Sequence, residues 1–129
     1  MRNTILKGAS LLLAVCATQF VLPSAAQADG GGSNGWTRLE IKGKGTYVRQ
    51  VQVHTNRWSE VLSFYGHFRV WGPGIDFRTE DRHNRWTLVH YRNINRHLPN
   101  GSKICAEAFS KNKDGTYRKR GLPCVEITA

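Results

Sequence analysis

The chain has 129 residues and a formal charge of +10, with 19 Lys and Arg against 9 Asp and Glu. This length excludes a multidomain enzyme and leaves no room for a doubly wound nucleotide-binding domain. The charge favours an acidic or polyanionic environment but selects neither a fold nor a reaction.

The amino terminus reads as an export signal. Arg2 and Lys7 form a basic region, Leu11, Leu12, Leu13, Ala14 and Val15 begin an apolar stretch that runs to Leu22, and Ala26-Gln27-Ala28 follows Pro23 as a small-x-small cleavage pattern. Cleavage after Ala28 leaves 101 residues and a charge of +8, because Arg2 and Lys7 depart with the signal. Cys16 follows Leu13-Ala14-Val15, a faint likeness to a lipoprotein box. Val is a poor residue before a lipidated Cys and the apolar run continues past it, so lipidation is not expected. No apolar run reaches the ~20 residues of a membrane span in the mature chain. The expected location is therefore extracellular.

Asp29 to Gly35 reads DGGGSNG and carries no large side chain. It is expected as a flexible tail outside the core. Two readings stay open: a disordered leader, or a segment that becomes ordered in a partner's groove, where glycines permit close backbone approach.

From Trp36 onward the signals are β. In Trp36–Lys42, Leu39 and Ile41 alternate with Arg38, Glu40 and Lys42. After the Gly43-Lys44-Gly45 turn, Tyr47, Val51 and Val53 are assigned to one face of Thr46–His54. Further strands are expected at Ser59–Tyr65, at His67–Trp71 after a break at Gly66, and at Ile75–Thr79 after the Gly72-Pro73-Gly74 turn. Arg85–Tyr91 alternates, and a helical turn is considered around Asn93–His97. No sustained 3.6-residue period occurs outside the signal. The expected fold is all-β: a small antiparallel β-sandwich or barrel of seven to eight short strands, in a single domain over residues 36–129.

The last segment adds a constraint. Ser102–Ser110 and Thr116–Thr128 flank Asn112-Lys113-Asp114-Gly115, and Asp-Gly suits a two-residue type I′ hairpin turn. That turn pairs residues whose numbers sum to 229, which sets Cys105 opposite Cys124 as a hydrogen-bonded pair. With Cys16 removed, these two cysteines are an even pair in an exported chain, which reads as one disulfide. Closing a loop of about 20 residues contributes on the order of 3 kcal/mol. Pro123 is expected to make this an edge strand or to open a bulge.

No coherent catalytic set emerges. The mature chain keeps five histidines, His54, His67, His83, His90 and His97. A ribonuclease would draw on His83, His90 or His97 with Glu80, Arg82, Arg85 and Arg92, to supply a base, an acid and a cation for the phosphorane. Their spacing does not join them. Neither a GxSxG serine nor an HExxH or CxxC pattern occurs, so no metal and no cofactor is expected. The basic residues gather in two stretches with aromatics: Arg82, Arg85, Trp86, Tyr91 and Arg92, then Tyr117, Arg118, Lys119 and Arg120. Arginine with aromatics suits an anionic glycopolymer, a nucleic acid or a protein interface. A solvated, aggregation-resistant strand face is the plainer alternative.

Phe68-Arg69-Val70-Trp71-Gly72-Pro73-Gly74, Leu98-Pro99-Asn100-Gly101-Ser102-Lys103-Ile104-Cys105-Ala106-Glu107 and Arg120-Gly121-Leu122-Pro123-Cys124 together resemble the small secreted two-cysteine proteins of Streptomyces and related actinobacteria. One branch of that resemblance is the small adaptor subunit of umbrella toxin particles. It implies a compact β domain that docks on a large ring-and-spoke toxin subunit, with an extended N-terminal segment inserted into a cleft of a lectin subunit. It thereby implies a partner-binding role for Asp29, Gly30, Gly31, Gly32, Ser33, Asn34, Gly35 and Trp36. The expected function is a secreted, non-catalytic binding or adaptor protein with larger secreted partners. The alternatives are a secreted ribonuclease or cationic toxin and, more weakly, a protease inhibitor.

Overall fold

The computed structural model describes residues 30–59 and 62–129. The expected export signal and Asp29 lie outside the described residues, as do Glu60 and Val61. The described chain is all-β and antiparallel, with ten strands. These are β1 (Gly30–Asn34), β2 (Thr37–Lys44), β3 (Tyr47–Thr55), β4 (Ser63–Gly72), β5 (Ile75–Arg78), β6 (Arg82–Arg85), β7 (His90–His97), β8 (Lys103–Lys111), β9 (Tyr117–Lys119) and β10 (Cys124–Glu126). Ten replaces seven to eight because the glycine tail pairs as a strand and the last segment divides in two.

The strands form two sheets. The first runs β1-β2-β3-β7. The second is built on the β4–β8 pair: β5 and β6 share one edge of β4, at Arg69–Gly72 and Ser63–Gly66, while β9 and β10 share the far edge of β8. Leu39, Ile41, Val51 and Val53 of the first sheet and Phe64, Phe68, Val70, Ile104, Ala106 and Ala108 of the second form one buried cluster. Within the second sheet large side chains pair with small ones, Phe68 with Ala108 and Val70 with Ala106, which lets the facing layer interdigitate.

Several expected strands change. Leu39 and Ile41 face the core as their alternation predicts, but on β3 Val48 is buried and Tyr47 is not. A bulge at Arg49, in the pairing with β2, reverses the side-chain phase there. Gly66 does not break the chain: β4 runs through it, and a Cβ at this position would strike the Phe109 carbonyl. Arg85–Tyr91 is not one strand. It crosses from β6 in one sheet to β7 in the other through a turn at Trp86 and Thr87. The helical turn considered at Asn93–His97 is the end of β7, bulged at Asn95, whose φ is 50°.

The carboxy-terminal hairpin reaches the expected pairing by another route. Asn112 N–H donates to Thr116 O at 2.7 Å and Gly115 N–H to Asn112 O at 3.0 Å, and φ is positive at Gly115 but not at Asp114. This is a three-residue loop ending in a left-handed glycine, not a type I′ turn. Beside it Lys111 pairs with Tyr117 and Phe109 with Lys119, one position short of the expected register. A bulge over Gly121–Pro123 restores that position, and Cys124 pairs with Cys105. The disulfide is formed, with Cα atoms 4.0 Å apart. That closeness belongs to a non-hydrogen-bonded pair, because Ala106 N–H bonds Pro123 O at the neighbouring position.

The bulge joins the sheets. Arg120 donates its N–H to Ala108 O, while its carbonyl accepts Trp36 N–H at 2.9 Å and Thr37 Oγ1 at 3.1 Å. Leu122 N–H donates to Asn34 Oδ1 at 3.2 Å. Gly121, at φ 115°, lies so close to the Asn34 carbonyl that no Cβ fits between them.

Candidate functional site

The glycine segment is a placed edge strand. Gly30–Asn34 pairs with Ile41–Thr37 of β2. It lies against the opposite sheet, where a Cβ on Gly32 would make ordinary contact, 3.7 Å from Pro123 and 3.5 Å from the Cys124 carbonyl. Trp36 serves the fold: its ring lies 5.8 Å from Phe64, and the Arg120 guanidinium covers it at 4.1 Å.

Beside this segment is a groove of about 320 Å³ lined by Ser33, Arg38, Glu40, His54, Asn56, Arg57, Trp58 and Trp86. The Arg57 guanidinium lies between two indoles, 5.1 Å from Trp58 and 5.0 Å from Trp86. Trp58 is 83% exposed. The loop that carries it is tied by Asn56, whose side chain donates to Gly35 O and accepts from Trp58 N–H. Composition marked Trp86. Trp58 and Arg57 escaped notice because they sit between strands, outside the two basic stretches.

The basic–aromatic residues are spread over several elements. Arg82 and Arg85 lie on β6, Trp86 in the groove just described, Tyr91 and Arg92 on β7, and Tyr117, Arg118 and Lys119 on β9, while Arg120 belongs to the bulge that joins the sheets. Four residues of the ribonuclease alternative, Glu80, Arg82, His90 and Arg92, do line one cleft of about 390 Å³ together with Tyr91. Its chemistry is defined at His90. The buried Asn84 amide donates to Gly66 O and Arg82 O, which leaves Oδ1 to accept from His90 Nε2 at 2.8 Å. His90 is thereby held as the Nε2–H tautomer. Burial, then the charge of Arg82, pushes its pKa below the ordinary histidine value.

The outer face of the second sheet carries a network the sequence reading missed. His67 Nδ1 bonds Asp81 Oδ1 at 2.8 Å, and the other Asp81 oxygen accepts the Tyr117 hydroxyl at 2.5 Å and lies 3.5 Å from Lys111 Nζ. The Tyr117 hydroxyl and then His67 hold the Asp81 carboxyl below its ordinary value. The same bond to Asp81 raises the Tyr117 phenol. His67 stacks on Phe109 at 5.0 Å and meets Tyr117 edge-on at 4.9 Å. The remaining histidines are tied to neighbours: His54 Nδ1 to Thr55 O, His97 Nδ1 to Thr46 Oγ1, and the His83 ring to Tyr65 at 5.0 Å.

Among the described residues, no group of three or more His, Cys, Asp or Glu is arranged to hold a metal ion. No described helix is long and apolar enough to cross a membrane. The chain matches no protein-family model, and it has no significant match among curated proteins or solved structures.

Proposed function

We propose that the protein is a secreted, non-catalytic binding protein, an adaptor in an extracellular toxin-type assembly. It docks on a larger protein partner through the Trp58–Arg57–Trp86 groove and the adjoining Gly30–Trp36 segment. The observation that carries this reading is the Trp–Arg–Trp stack with its outer indole 83% exposed. Exposed Trp and Arg in a groove are the residues that dominate protein interfaces. Ser33 of β1 lines the same groove, so one partner reaches both elements. The disulfide fits an oxidising compartment. The resemblance to two-cysteine adaptor subunits points the same way, with one refinement: for the tail to enter a partner's cleft, β1 must leave β2.

The test is recovery of a defined complex from culture supernatant by tagged mature protein. Trp58→Ala and deletion of residues 30–35 are each expected to abolish the complex while a cooperative thermal melt persists. Undiminished recovery with both variants refutes the reading.

A second reading, a secreted ribonuclease, draws on the shared cleft of Glu80, Arg82, His90 and Arg92. It predicts RNA cleavage between pH 5 and 8 that His90→Ala removes. The adaptor reading expects RNA to stay intact.

A further inference from the structure

Neither reading uses the ring-bearing outer face of the second sheet, although Arg78 at its edge also lines the Glu80–Arg92 cleft. Across β6-β4-β8-β9 this face carries a row of rings: His83 against Tyr65, then His67 on Phe109, then Tyr117. Tyr65 and Tyr117 are each 43% exposed, which is unusual for two large rings on one face of a small sheet. They stand on strands separated by β8, about 10 Å apart at the usual strand spacing. The row is held rigidly, since Asp81 fixes both His67 and Tyr117.

The charge around the rings is unbalanced. Asp76 is engaged by Arg69 at 3.3 Å, Asp81 by His67, Tyr117 and Lys111, and Glu107 lies opposite Arg69 on the β4–β8 ladder. Lys111 Nζ lies 5.9 Å from the Tyr117 ring, Arg78 acts electrostatically on the same phenol, and Lys119 pairs with Phe109. Among the described residues Arg78 and Lys119 make no ion pair.

We propose that this face binds single-stranded nucleic acid, with bases stacked on Tyr65 and Tyr117 and phosphates met by Arg78 and Lys119. Exposed rings on an open sheet, flanked by cations, match what an unpaired strand offers: flat π-faces and a regular negative backbone. A duplex hides its base faces. A sulfated glycan supplies the charge without flat rings to stack. The face is separate from the Trp58 groove, so this inference stands apart from the adaptor reading.

The test is fluorescence anisotropy of the mature protein with labelled ten-nucleotide DNA and RNA. Tyr65→Ala is expected to weaken binding about ten-fold or more. Arg78→Ala and Lys119→Ala are each expected to flatten the salt dependence by about 0.7 in logarithmic slope. Tyr117→Phe keeps the ring and retains binding. Trp58→Ala leaves oligonucleotide affinity unchanged, so the adaptor reading and this one fail separately. Should Tyr65→Ala not fold, Lys119→Glu on the exposed β9 strand serves in its place and is expected to weaken binding. Equal or tighter affinity for the matching duplex, or for a heparin oligosaccharide of equal charge, overturns the proposal. So does indifference to Tyr65→Ala and Lys119→Glu together.

Discussion

Gly121→Ala tests the join between the sheets. Two costs are expected. Gly121 has φ 115°, a region a side-chain-bearing residue enters at about 1–3 kcal/mol. The new methyl group also displaces the Asn34 carbonyl, and with it the neighbouring bonds from Leu122 N–H, Trp36 N–H and Thr37 Oγ1. Each such bond contributes about 0.5–1.5 kcal/mol net. Losing one or two of them and adding the backbone cost gives about 3 kcal/mol, a large share of a small domain's stability. The melting temperature should fall by more than about 10 °C. Gly115→Ala is the matched control. Gly115 is also left-handed, at φ 89°, but nothing lies within 4 Å of the added Cβ, so only the backbone cost applies. Urea denaturation and hydrogen exchange at the Trp36 and Leu122 amides are the assays. Equal losses in the two variants, or unchanged exchange at Trp36, would show that the clamp contributes nothing.

Asp81 sets an acid limit. Its carboxyl is depressed in the fold, so its contribution is present above the unfolded value of about 3.9 and is lost as pH falls through the lower folded value. Asp81→Asn should therefore melt below wild type at neutral pH and converge with it in acid, and a gap independent of pH would contradict this. Replacing Cys105 and Cys124 together by Ser is expected to cost on the order of 3 kcal/mol for a loop of this length, read as a shifted urea midpoint. Phe68→Ala, at a fully buried ring, should cost about 3–5 kcal/mol by the same measurement, and a loss under about 1 kcal/mol would mean the sheets close over the cavity.

The readable parts of this chain were those where side chains alternate without interruption. Leu39 and Ile41 announced their strand, and the cysteine pair announced the register of β10 on β8 but not that of β9. The strand Gly30–Asn34 could not be read, because GGGSN has no pattern of side chains and pairs by backbone alone. On β3 one bulged residue, Arg49, moved burial from Tyr47 to Val48. Alternation over Arg85–Tyr91 continued through a change of sheets, and periodicity carries no mark of such a change. The sites were harder still. His67 and Asp81 are 14 residues apart and meet only because β6 folds back along β4. His90 and Asn84 come from different sheets. Trp58 was hidden in a loop, where exposure cannot be inferred from a neighbour's spacing.

The hairpin of β8, β9 and β10 holds two register shifts of opposite sign. The loop at Lys113–Gly115 moves the pairing back by one, and the bulge at Gly121–Pro123 moves it forward by one. A shorter loop with no bulge would bring the same cysteines together, so the disulfide cannot tell the two versions apart. The contact with Trp36 and Thr37 can, because only the bulged version turns the Arg120 carbonyl towards them. Removing one residue from the bulge makes the path from Lys119 to Cys124 as long as that from Phe109 to Cys105, so the covalent link is kept while the anchor of the amino-terminal hairpin is removed. Homologues that lack the bulge residue should retain the disulfide and release β1.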